Sequence, residues 1–103
     1  MNGGKAAQRG RRKTSSVTGA VVVSNERGLH ARAAAKFVKL ASTFDAHVAV
    51  SRGGQSVSGH SIMGLMMLAA APGSELELSA TGRQAEAAVK ALIALVENKF
   101  EED

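Results

Sequence analysis

Three features predict a two-layer α+β fold. Strand-like runs rich in β-branched residues alternate with helical segments, two of the strands are joined by one tight hairpin, and each helix is apolar along one face. The order reads β-α-β-β-α-β-α, which suits one mostly antiparallel sheet with helices on one face. Pattern alone leaves the strand order open. Val17 to Val23 is mostly apolar and β-branched and reads as the first strand. Ser24 to Gly28 is a polar loop. From Ala31 to about Ala41 the chain reads as a helix, with Leu29, Ala33, Ala34, Phe37, Val38 and Ala41 on its buried side and Lys36 and Lys39 opposite. His47 to Ser51 alternates as a strand, Gly53-Gly54 signals a hairpin, and Gln55 to Ser58 is the return strand. Ser61 stands where it can cap a short helix running to Leu68, and Pro72-Gly73 breaks that helix. Glu75 to Ser79 alternates strictly, as a half-exposed strand does, and Thr81-Gly82 is a turn. Arg83 to about Phe100 reads as the longest helix, with Ala87, Ala88, Ala91, Leu92, Leu95 and Val96 as its buried stripe.

Composition narrows the function classes. At 103 residues the chain is one domain with one core. It has no Trp or Tyr and only three Phe, which argues against base-stacking platforms and large aromatic pockets. It has no Cys, so disulfides, thiolate catalysis and Cys-type zinc sites are excluded and a reducing cytosol is compatible. The formal charge of +4 is unevenly placed. Lys5, Arg9, Arg11, Arg12 and Lys13 lie in the first 16 residues with no acid among them, leaving eight basic against nine acidic residues in the rest. Residues 1–16 show no apolar periodicity and read as a disordered basic tail before a near-neutral domain at 17–103. Such a tail either aids solubility or binds nucleic acid; the domain itself shows no basic face to support the second. No run is long enough to span a bilayer, and the basic start lacks the apolar segment of a secretory signal.

The most informative stretch is Gly28-Leu29-His30-Ala31-Arg32. A glycine turn delivers a histidine to the start of a helix, and an arginine follows two residues later. A helix start offers unpaired backbone N–H groups and a positive dipole end. An imidazole attacks phosphorus only through an unprotonated nitrogen, and an ordinary histidine pKa of about 6.5 leaves a large neutral fraction near neutral pH. Once phosphorylated, the dianion finds donors in the N–H groups of Ala31, Arg32 and Ala33 and in the Arg32 fork. His30, Arg32 and this first helical turn are therefore candidates to accept, hold and release a phosphoryl group. Taken singly, a histidine before a helix is more often a surface residue or a cap, and Arg32 alone is a solvated side chain.

From Val17 onward the chain resembles the HPr family, the histidine phosphocarriers of the bacterial phosphoenolpyruvate-dependent phosphotransferase system. The stretch from Gly28 to Arg32 with its helix, and Ser61-Ile62-Met63-Gly64-Leu65-Met66, carry the resemblance. Phe44-Asp45-Ala46, Ala80-Thr81-Gly82 and the stretches Ala91 to Leu95 and Phe100 to Asp103 are similar to the nitrogen-related branch, NPr. The resemblance implies an open-faced β-sandwich, a four-stranded antiparallel sheet covered by three helices. It implies phosphorylation of His30 at Nδ1 by Enzyme I, transfer to an EIIA-type protein, Arg32 as the phosphate's neighbour, a cytoplasmic carrier, and no cofactor or metal. Such a carrier is a substrate of other enzymes rather than a turnover enzyme. It also implies a docking patch at Ile62, Met63 and Met66, flanked by Lys39, and a serine at Ser61 that HPr kinase/phosphorylase modifies in some lineages. One position departs from the pattern: Ala33 stands where the family usually has proline. Alanine keeps the helix and adds an N–H, while the rigidity that proline lends to a first turn is lost.

The remaining residues divide between sharp and plain readings. Ser61 is either the cap of its helix or a regulatory site. Ile62, Met63, Leu65, Met66 and Met67 cannot all face inward on so short a helix, and flexible, polarisable Met suits a surface that meets several partners. Lys36 reads as a solvated helix face. His47 and His60 lack metal-ligand spacing, Glu75 and Glu77 share an exposed strand face, and Glu101-Glu102-Asp103 reads as a tail. The rival function is a regulatory binding module of the same fold, acting through the Ser61–Met66 surface with His30 idle.

Overall fold

The computed structural model describes residues 16–102. The basic tail predicted for residues 1–16 lies, apart from Ser16, outside the described residues. Within them the chain forms β1 (Val17–Val22), α1 (Ala31–Ala41), β2 (His47–Arg52), β3 (Gln55–Ser58), α2 (Ile62–Met67), β4 (Glu75–Thr81) and α3 (Ala85–Glu97), followed by a single turn at Lys99–Glu101. The element order is the one the sequence predicts.

The strands form one sheet in the order β1-β4-β2-β3, all pairs antiparallel. Gly53 and Gly54 both have positive φ, 57° and 88°, which a two-residue hairpin of matching twist requires between β2 and β3. Burial alternates along β4: Leu76, Leu78 and Ala80 point to the core, while Glu75 and Glu77 stay in water. The helices cover the inner face and leave the outer face open, an open-faced α+β sandwich. Val21, Val48, Val50, Leu76 and Leu78 meet Phe37, Leu65, Leu92 and Val96 in one continuous core. Burying side chains of this size contributes about 1.5–3 kcal/mol each before the entropy cost of ordering the chain.

Three expectations need correction. The last helix stops at Glu97 rather than near Phe100. Lys99, Phe100 and Glu101 follow in left-handed backbone, with φ of 56°, 55° and 63°. Three successive non-glycine residues in that region are costly, about 1–2 kcal/mol each, so other contacts must hold them there. The Phe100 side chain is fully buried, and Lys36 Nζ donates to the Phe100 carbonyl at 2.8 Å. Lys36 is thus a tether and not a purely solvated face. The buried stripe of α3 is also rotated: Ala85 and Val89 join Ala88, Leu92, Leu95 and Val96, while Ala87 is exposed and Ala91 half-buried. The turn at Gly82 (φ 116°) starts the helix at Ala85, and this phase faces β1 and β4.

Candidate functional site

His30 is the N-cap of α1. Its backbone is extended (φ −84°, ψ −179°), and its Nδ1 accepts a hydrogen bond from the Arg32 N–H at 3.2 Å. The loop before it explains the placement. Gly28 has φ 68°, and a Cβ there would lie 2.4 Å from the Ala70 carbonyl oxygen, so the position excludes other residues on both backbone and steric grounds. The Leu29 N–H donates to that same carbonyl at 2.9 Å, and the Leu29 side chain is buried. The turn is thus pinned to the segment after α2, and His30 follows it half-buried.

Asn25 is buried, with 1% of its surface exposed, and its Nδ2 donates to the Gly28 carbonyl at 2.8 Å. The same amide donates to Glu102 Oε1 at 3.2 Å. Glu102 Oε2 in turn accepts from His30 Nε2 at 2.6 Å. Both ring nitrogens of His30 are therefore engaged. A carboxylate only accepts and a backbone N–H only donates, so the neutral ring carries its proton on Nε2 and its free pair on Nδ1. His30 and Glu102 are each 22% exposed at the side chain. The His30 N–H holds the Glu102 carboxyl below its ordinary value of 4.5. Partial loss of water opposes that shift, while the Asn25 amide and the nearby Lys36 reinforce it.

His30 and Arg32 open onto a shallow cleft also lined by Asn25, Glu26, Arg27, Lys99 and Glu102. Three cations against two carboxylates line the cleft with the imidazole at a helix start, a net positive lining that suits an anion. The Ala34 N–H is satisfied by the His30 carbonyl at 2.8 Å. The N–H groups of Ala31, Arg32 and Ala33 precede it in the turn that has no intrahelical acceptors. The Ala33 side chain is fully buried, so methyl packing replaces the ring that proline would supply.

The other predicted residues sort clearly. Ser61 is the N-cap of α2, its Oγ accepting from the Gly64 N–H at 2.9 Å. Ile62, Met63, Met66 and Met67 are exposed and Leu65 is buried, so the short helix presents an apolar outer face beside α1. Lys39 is exposed on α1 and lines a separate depression toward α3 with Leu40, Thr43 and Leu95. His60 is structural, its Nε2 accepting from the Val48 N–H at 3.0 Å. No group of three or more metal-ligating side chains occurs among the described residues, and no helix there is long and apolar enough to cross a membrane. Asn25, Arg27, Lys99 and Glu102 escape the sequence reading, which takes Glu102 for a tail. One signal for it was present: Phe100 is a large apolar residue in an otherwise polar stretch, and it marks a segment that folds back onto the domain.

Comparison with known proteins shows the family and the fold. The family model described as "PTS HPr component phosphorylation site" matches residues 17–98. The chain is similar to the phosphocarrier protein HPr of Pseudomonas aeruginosa, 47% identical over 83 residues that make up 80% of this chain and 92% of that protein. It is 44% identical to the phosphocarrier protein NPr of Shewanella violacea over 82 residues, 80% of this chain and 90% of that one. Among solved structures, HPr from Thermoanaerobacter tengcongensis superposes with a TM-score of 0.80 at 41% identity, covering 84% of this chain and 98% of that chain.

Proposed function

This chain belongs to the HPr family, phosphocarrier proteins of the phosphotransferase system, and from that premise we propose that His30 is its phosphoryl carrier. Nδ1 takes the group from an Enzyme I-type donor and passes it to an EIIA-type acceptor. The observation that carries the reading is the unprotonated Nδ1 at a helix start, held only by the long contact from the Arg32 N–H, with Arg27 and Lys99 lining the same cleft. As the Nδ1–P bond forms, the bond from phosphorus to the donor breaks and its electron pair leaves with the donor. The Arg32 N–H, released from Nδ1, turns to a phosphoryl oxygen together with the N–H groups of Ala31 and Ala33. The work is in-line placement and charge stabilisation, and a shallow site suits it because the group must also leave.

The exposed face of α2, with Ile62, Met63 and Met66, is the docking patch in this reading, and Lys39 offers a cation to acidic partners from the neighbouring helix. Ser61 acts as the helix cap. Phosphorylation of Ser61 by an HPr kinase/phosphorylase would set a dianion within that docking surface and weaken apolar contacts there. The unit that works is residues 17–103, in the cytoplasm. The branch we assign is the nitrogen-related one, on the segments around Asp45, Thr81 and Phe100 that resemble it. Incubation with phosphoenolpyruvate and Enzyme I tests the carrier reading: an acid-labile phosphate forms and is lost in His30→Ala. A wild-type chain that takes no label is instead the binding module. Faster labelling by a nitrogen-type than by a sugar-type Enzyme I is the outcome expected for the branch.

A further inference from the structure

We propose that Glu102 is a positioning residue for phosphoryl transfer, acting through the His30 ring. The proposal rests on the carrier reading and deepens it. Two contacts fix the ring from opposite sides: Nε2–H donates to Glu102 Oε2 at 2.6 Å, and Nδ1 accepts from the Arg32 N–H at 3.2 Å. Together they set the orientation of the imidazole and leave Nδ1 as the nitrogen with a pair to give. The contact at Nε2 is short and charge-assisted, the stronger kind of hydrogen bond. The contact at Nδ1 is long, and so is readily exchanged for a phosphoryl oxygen.

The carboxylate is itself held. The Asn25 amide grips Oε1 and, with the same nitrogen, the Gly28 carbonyl, which ties Glu102 to the turn that presents His30. Lys36 holds the Phe100 carbonyl, Phe100 is buried, and the three left-handed residues 99–101 aim the next residue at the ring. A costly backbone maintained to deliver one side chain is the mark of a placed group.

The chemistry balances without a proton leaving. When the Nδ1 pair bonds to phosphorus, the ring gains positive charge that spreads to Nε2. The proton stays on Nε2, and the adjacent carboxylate offsets the new charge. On onward transfer the pair returns to Nδ1 and the original hydrogen bonds re-form. Arg27, Arg32 and Lys99 line the same cleft as His30, and Glu26 is the other acid lining it.

The test compares the full-length wild-type chain with Glu102→Ala and Glu102→Gln. In wild type the His30 Nε2–H proton is sheltered enough to give a downfield signal in proton NMR, and Glu102→Ala loses it. With Enzyme I and phosphoenolpyruvate, kcat for phosphoryl acceptance falls about tenfold in Glu102→Ala with KM unchanged, and Glu102→Gln, which keeps an acceptor without the charge, lies between. A labelled wild type with the same kcat and the same imidazole signal in Glu102→Ala overturns this proposal alone. A wild type that takes no label on His30 overturns the carrier reading on which it stands.

Discussion

Glu102 has a depressed pKa because the folded chain supplies a hydrogen bond from His30 that the unfolded chain lacks. Its contribution to stability is therefore complete above the ordinary value of 4.5 and is lost as the pH falls through the lower, folded value. Carbon-detected NMR titration of the Glu102 carboxyl should give a midpoint below 4.5, and His30→Ala should move it back up. A wild-type midpoint at or above 4.5 would mean that the contact does not form in solution. At this scale only part of the candidate site was legible in the sequence. His30, Arg32 and Ser61 were legible because their partners lie within three residues, in patterns that a helix start imposes. Asn25 and Glu102 were not, since their roles arise from contacts 77 and 72 residues apart that no local pattern encodes.

At the scale of elements, two residues are left-handed where the turn that carries His30 meets the segment after α2. Gly28 suits its φ of 68°, whereas Ala69 holds φ 51° at the end of α2, where glycine usually sits. The left-handed cost for alanine, about 1–2 kcal/mol, exceeds the extra chain entropy that glycine loses on folding, about 0.5–1 kcal/mol. Ala69→Gly should thus stabilise the protein by about 0.5 kcal/mol in urea unfolding. Gly28→Ala should destabilise it by about 2 kcal/mol or more, because it adds both the left-handed cost and a collision with the Ala70 carbonyl. Equal midpoints for wild type and both variants would refute this account of the turn. Every strand and helix was legible from periodicity and turn residues. The end of α3 was misjudged because Asn98, Lys99 and Phe100 carry no glycine or proline to announce a left-handed break.

Across the whole molecule, the sheet order β1-β4-β2-β3 inserts the last strand between the first and second, and α3 returns across β1 and β4. That route brings the 99–102 segment beside α1. Phe100 is its anchor, so Phe100→Ala should cost about 3–5 kcal/mol in thermal or urea unfolding and raise the Glu102 midpoint toward 4.5. Loss of stability without any change at Glu102 would show that the anchor and the carboxylate are independent. The two-layer class followed from alternation, but the order of strands did not, because pairing across dozens of residues is decided by the packed core as a whole.

The span between His30 and its carboxylate partner has a consequence for biosynthesis. A ribosome makes the imidazole 72 residues before the group that steadies it. In the proposed reading, a nascent polypeptide halted anywhere between them has the carrier imidazole without its counterion, so the paired ring forms only once translation has passed residue 102.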